Sequence, residues 1–301
     1  MKTRFTLVAG LLALLTASLH ARLQVVATLP ELAAIAQAVG GDEATVVSLA
    51  QGTEDPHYID PRPSFNRVLN KADVLIEGGA ELESGWLPPL VQNARNPKII
   101  GDSPGHIIAS RGISLLEKAT GPVDRSQGDV HPGGNPHYLM DSRNASIVAG
   151  TIADAFTSID PGHAPAYQKN LLAFRGQLNE KQRAWEQALL KARGTKVITY
   201  HKSYDYFLSQ YGMQLVGTIE PKPGIEPSPR HITDLITGQK NGDVKLILIE
   251  PNRSTRTPSR IAESIGASVL VVPVMPLKIG SSSAYFDWID GVVSQIAKAL
   301  N

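Results

Sequence analysis

The chain has 301 residues, 29 basic against 28 acidic side chains, 42% hydrophobic residues and no cysteine. Its near-neutral charge offers no footprint for a nucleic-acid partner. The lack of cysteine excludes disulfides, thiolate metal sites and a lipid-anchoring cysteine.

Lys2 and Arg4 precede an apolar run from Phe5 to Leu15, with small residues following at Ala17, Ser18 and Ala21. That is the pattern of a signal peptide. Cleavage is expected after Ala21, with Ser18 as the competing position. The run is shorter than the ~20 residues that span a bilayer, and no later stretch is both long and uncharged enough to do so, so no membrane insertion is expected. Removing Lys2 and Arg4 from the 29 basic residues leaves 27 against 28 acidic ones. The remaining ~280 residues exceed what one small core usually takes, and two domains are expected.

Short β-rich runs at Gln24 to Ala27, Thr45 to Leu49, Val74 to Glu77 and Lys98 to Ile100 alternate with helix-like segments at Glu31 to Val39 and Pro63 to Lys71. Such βα alternation predicts a parallel sheet. From Pro161 to Arg193, Tyr167, Leu171, Phe174, Leu178, Trp185 and Leu189 recur at spacings of 4, 3, 4, 7 and 4, one apolar stripe on a helix. Asp160 can cap it, Pro161 can open it and Gly194 can end it. About thirty residues would make a rod of roughly 45–50 Å, enough to run the height of two lobes, although an ordinary long surface helix fits the same periodicity. The βα rhythm returns at Lys196 to Thr199, Leu246 to Glu250 and Ser268 to Val272, and a helix from Tyr285 to Leu300 closes the chain. The expected architecture is therefore α/β: two lobes with parallel sheets joined by one long rigid helix. The division reads 1–21 signal peptide, 22–159 first lobe, 160–194 connecting helix and 195–301 second lobe.

Three of the eight histidines sit in turn-rich surroundings near predicted strand ends, where α/β sheets place ligand sites. His57 lies in Asp55-Pro56-His57, His137 in Asn135-Pro136-His137, and His201 closes Val197-Ile198-Thr199-Tyr200-His201. A proline or a strand before each imidazole limits its freedom and reduces the entropy lost on ligation. Taken singly, each would pass for a hydrogen-bonded loop histidine.

Together the motifs resemble the metal-specific solute-binding proteins of zinc and manganese ABC importers, the cluster A-I family. Besides Asp55-Pro56-His57 and Asn135-Pro136-His137, the resemblance is carried by Val25-Val26-Ala27-Thr28, Ala72-Asp73-Val74-Leu75-Ile76, Gly79-Ala80-Glu81-Leu82-Glu83, His201-Lys202-Ser203-Tyr204 and Ile249-Glu250-Pro251. It implies a metal site between two α/β lobes, with His57 and His137 as ligands from the first lobe and His201 from the second. It also implies a periplasmic protein, expected to be monomeric, that hands its metal to the permease of a membrane ABC importer. The family's fourth ligand is often an aspartate before the last helix, where Ser283 stands here; water or Glu250 is then left to fill that position. Leu139 and Ser142 replace residues that are commonly Trp and Pro. The histidine- and acid-rich loop of many zinc members shrinks to Ser126 to His131, which reads as a plain turn, or else as Asp129 and His131 assisting capture. Imidazole suits Zn2+ while Mn2+ prefers carboxylate oxygen, so zinc is expected before manganese. Three histidines and a water also describe a catalytic zinc site, which keeps a zinc-dependent hydrolase as the alternative. The chain nonetheless lacks His-Glu-x-x-His and Gly-x-Ser-x-Gly, and no enzyme is expected.

Overall fold

A computed structural model describes residues 22–300 except 120, 122–127, 129 and 241. The expected signal peptide and Asp129 lie outside the described residues. The first lobe runs β1 (Leu23–Ala27), α1 (Pro30–Gly40), β2 (Ala44–Ser48), α2 (Pro63–Lys71), β3 (Val74–Glu77), α3 (Leu87–Ala94), β4 (His106–Ile108) and α4 (Ser142–Ile159). A long helix, α5 (Ala164–Ala188), leads to β5 (Lys196–Thr199), α6 (Asp205–Tyr211), β6 (Gln214–Thr218), α7 (Pro229–Gln239), β7 (Val244–Ile249), α8 (Arg256–Ile265), β8 (Ser268–Val271) and α9 (Ala284–Leu300).

All strand pairs are parallel, in the order β2-β1-β3-β4 in one sheet and β6-β5-β7-β8 in the other. The two lobes thus share one topology without a repeat in sequence. In each sheet the chain turns from one flank to the other beside the first strand, and the crevice at the carboxyl ends of β1/β3 and of β5/β7 is where such sheets take ligands. Strand alternation divides the second lobe's core. Val197, Leu246 and Leu248 face the main core, which continues into the first lobe through α1, α4, α5 and α9, while Ile198, Ile247 and Ile249 pack with Ile261 of α8 on the other side. No helix among the described residues is long and apolar enough to cross a membrane.

The predicted stripe on α5 is buried at all six positions, and the helix packs on α1, α4 and α9. Its ends differ from expectation. Pro161–His163 forms a 3-10 turn, and the Asp160 carboxylate accepts from the Tyr167 hydroxyl and pairs with His163 Nδ1, both at 2.7 Å, instead of capping backbone amides. At the other end the helix stops at Ala188, and Gly194, at φ 78°, turns the chain into β5. Twenty-five residues make a rod of about 37 Å, shorter than predicted.

The predicted strand at Lys98 to Ile100 is not one. Pro97–Ile99 is a 3-10 turn, because Pro97 offers no ladder donor and the Asn96 side chain accepts from the Lys98 amide at 3.0 Å; the fourth strand comes at His106–Ile108. Strand β6 goes unpredicted, since Gly217 interrupts its apolar run and its pairing with β5 shifts register.

Candidate metal centre

The three singled-out histidines converge from loops of both lobes. His57 lies in the loop after β2, His137 precedes the 3-10 turn Tyr138–Met140, and His201 follows β5. Their ring centroids form a near-equilateral triangle, 5.2 Å from His57 to His137, 5.1 Å from His57 to His201 and 5.3 Å from His137 to His201. One nitrogen from each lies within 4.8 Å of the others.

Carboxylates fix which nitrogen faces inward. His57 Nδ1 is 2.9 Å from Asp55 Oδ1, and His201 Nδ1 is 2.8 Å from Glu220 Oε2. An ionised carboxylate only accepts, so each Nδ1 carries the proton and each Nε2 presents its lone pair. His57 Nε2 is buried with no hydrogen-bond partner among the described residues, and His201 Nε2 stands 3.3 Å from His137 Nε2. Two such nitrogens can share one proton or one cation, and a buried set of this kind suits a metal ion. Asp55 and Asn135 also anchor their histidines' backbone: each side chain accepts the amide of the histidine two residues on, at 3.1 and 3.0 Å.

Charge follows the same layout. Burial would raise Asp55, but hydrogen bonds from His57 and the nearby Arg253 guanidinium outweigh it and bring the carboxyl down to about 2. Burial and the neighbouring histidines hold His137 well below the ordinary imidazole value. His201 goes the other way: burial pulls it down, yet the hydrogen bond to Glu220 and the charges of Glu250 and Glu220 leave it raised.

The cavity bounded by Gly52, Asp55, the three histidines and Glu250 has a volume of ≈ 10 Å³. That is about one water-sized sphere, room for an ion; a larger cavity of ≈ 100 Å³ adjoins it, lined by His131, His137, His201 and Lys202. A Cβ on Gly52 would meet the Pro276 carbonyl oxygen at 2.2 Å, so the His57 loop can close on the second lobe only with glycine there. Glu250, 4% exposed at the end of β7, lines the smaller cavity; burial raises its pKa, and the His201 charge and a hydrogen bond from Ser203 only partly offset it. It stands outside the close group of ligand atoms formed by the histidines. Ser283 does not line the cavity, and its hydroxyl donates to Asp287 at 2.8 Å.

Two neighbours of the cluster, Glu220 and Arg253, were not read as part of it from sequence, and a third, His131, was read as part of a plain turn or else as assisting capture. His131 packs against His57 with ring centroids 5.3 Å apart; burial and the charges of His57 and His201 lower it to about 4. Glu220, 3% exposed, and Arg253 complete the surroundings, and both follow a strand's carboxyl end, the signal that marks them.

The family described as zinc-uptake complex component A, periplasmic (ZnuA) matches residues 25–299. The manganese ABC transporter substrate-binding lipoprotein PsaA of Streptococcus pneumoniae is 24% identical over 289 residues, covering 93% of this chain and 89% of that protein. The zinc-binding lipoprotein AdcA of Streptococcus pneumoniae (strain ATCC BAA-255 / R6) is 23% identical over 255 residues, 83% of this chain and 50% of its own length. A crystal structure of ZnuA superposes with a TM-score of 0.75 at 25% identity, covering 93% of this chain and all of that one.

Proposed function

This chain belongs to the zinc-uptake complex component A family, and from that premise we propose that it captures one divalent transition-metal ion on His57, His137 and His201 and delivers it to an ABC importer. The observation that carries the reading is the inward convergence of three imidazoles, two of them with their outer nitrogen committed to a carboxylate. Lobes at 22–159 and 195–301, joined through 160–194, would present the ion between them outside the cytoplasm, with the protein acting as a monomer on the importer's permease.

Zinc is the preferred cargo. A cage of three nitrogens with one exchangeable position is ordinary zinc coordination, whereas manganese prefers more oxygen. The fourth position falls to water or to Glu250, whose buried carboxylate lines the cavity. Manganese is the second reading, supported by the similarity to PsaA, a manganese transporter protein by name. The relatives are binding proteins rather than enzymes.

Calorimetric titration of the metal-free protein with Zn2+ and Mn2+ tests the reading. One ion bound per chain, zinc more tightly, is expected. Equal or tighter manganese binding would overturn the preference, and no binding of either would overturn the function.

A further inference from the structure

Asp55 and Glu220 each divide their two oxygens in the same way. One oxygen holds a histidine Nδ1; the other lies 3.2 Å from the same guanidinium nitrogen, Arg253 Nη2. The result is a continuous chain of contacts, His57 to Asp55 to Arg253 to Glu220 to His201, that leaves one side of the cavity and returns to the other. Asp55 comes from the first lobe, in the loop after β2, while Glu220 and Arg253 follow β6 and β7 of the second. The guanidinium is steadied from its flank by Tyr200, with Arg253 Cζ 5.2 Å from the ring centroid. Its side chain is 20% exposed, so the contacts are only partly open to solvent screening.

We propose that Arg253 is a clasp between the lobes: a positioning residue that holds the two carboxylates orienting His57 and His201 and so governs how long the ion stays bound. The inference rests on those histidines being the ligands. Parting the lobes at this rim requires Arg253 Nη2 to leave Asp55. Once it leaves, Asp55 loses the partner on its second oxygen, and the acceptor that aims His57 Nε2 inward is held only by the His57 amide. Release of the ion is thereby tied to opening, and a single side chain couples ligands on opposite walls.

The sign of the effect separates a clasp from a bystander. An arginine acting only as a nearby positive charge would repel the bound cation, and its removal would slow release. A clasp predicts the reverse.

The test is zinc release from the full-length protein, measured by rapid mixing with an excess of chromogenic chelator. Arg253→Met is expected to release zinc at least tenfold faster while still loading one ion per chain, with Arg253→Lys in between because it keeps one charged donor. Asp55→Asn keeps an acceptor for His57 but loses the ion pair. It should also release faster, and Arg253→Met added to it should contribute little, since the contact is already broken. Release from Arg253→Met at the native rate or slower overturns the clasp, as does full additivity with Asp55→Asn. If Arg253→Met fails to load, Arg253→Lys and Asp55→Asn decide alone. His137→Ala, which leaves Arg253's contacts in place, separates the two readings. Loss of zinc there, and likewise in His57→Ala and His201→Ala, with native release from Arg253→Met refutes only the clasp; native binding by His57→Ala or His201→Ala refutes the ligand assignment beneath it.

Discussion

Replacing Glu220 probes the centre without touching a histidine of the cluster. Its carboxylate receives three donors in a site 3% exposed: His201 Nδ1 at 2.8 Å, the Gly224 amide at 3.0 Å and Arg253 Nη2 at 3.2 Å. Glu220→Leu leaves the buried His201 Nδ1–H without its acceptor, which costs about 1–3 kcal/mol, while Arg253 Nη2 keeps Asp55 and the exposed Gly224 amide can turn to water. The metal feels a part of this, because a free imidazole must be oriented anew on binding. Outer partners of metal-bound histidines are worth roughly 10–100-fold in affinity, about 1.4–2.7 kcal/mol. Glu220→Leu is expected near the upper end of that range. Glu220→Gln retains an acceptor for Nδ1–H and should stay near the lower end. The assay is competition for zinc against a chelator of known affinity, with circular dichroism to establish that each variant is folded. A folded Glu220→Leu protein binding zinc within twofold of the native affinity would refute the idea that this carboxylate organises the site.

Alanine at His57, His137 or His201 should weaken zinc at least tenfold, since each removes a strong ligand worth more than ~1.4 kcal/mol; His131→Ala should cost less, and a native Kd for any of the three strikes that residue from the site. Zinc affinity should fall with acidity, because the ion needs neutral imidazole. His201 is raised, so proton competition begins above the usual imidazole value of ~6.5, and His131, near 4, joins only at much lower pH. Occupancy unchanged down to about pH 4.5 would contradict an imidazole site. Stability carries a separate pH signature: burial raises Glu31 to about 8 and Glu83 to about 7, above their values in the unfolded chain. Between about pH 4.5 and 8 the folded chain then binds more protons than the unfolded one, so this pair's contribution is lost as pH rises through that window. Glu31→Gln should therefore raise the melting temperature of the metal-free protein by several degrees at pH 8 and by much less at pH 5, as followed by calorimetry; equal shifts at both would refute the assignment.

Periodicity made some of the helices legible, although α4, 18 residues long, was not read. The α5 stripe is apolar at every position that the fold buries, and α2 spans Pro63–Lys71 as predicted. The histidines were legible as candidates because local motifs surround each one, but nothing in a linear chain states that positions 57, 137 and 201 meet within 4.8 Å. What escaped was long-range or locally contradictory. Missing β6, with Gly217 in its middle, hid Glu220 as a strand-end residue, and Arg253 acquires its meaning only from carboxylates 33 and 198 positions away. Lys98 to Ile100 has β-prone residues, yet Pro97 and the Asn96 cap decide its conformation locally. His131 ended the shortened loop that was left open between a plain turn and a capture role, and its packing on His57 is a product of the tertiary fold.

The central claim is that one ion sits among His57, His137 and His201, and a crystal structure of the zinc-loaded protein with anomalous data at the zinc edge tests it most directly. The account predicts a single strong anomalous peak about 2.0–2.1 Å from Nε2 of all three histidines. A fourth contact from Glu250 would identify the remaining ligand and leave the claim intact. A peak bonded to fewer than two of these histidines, or held by carboxylates elsewhere on the chain, would contradict it.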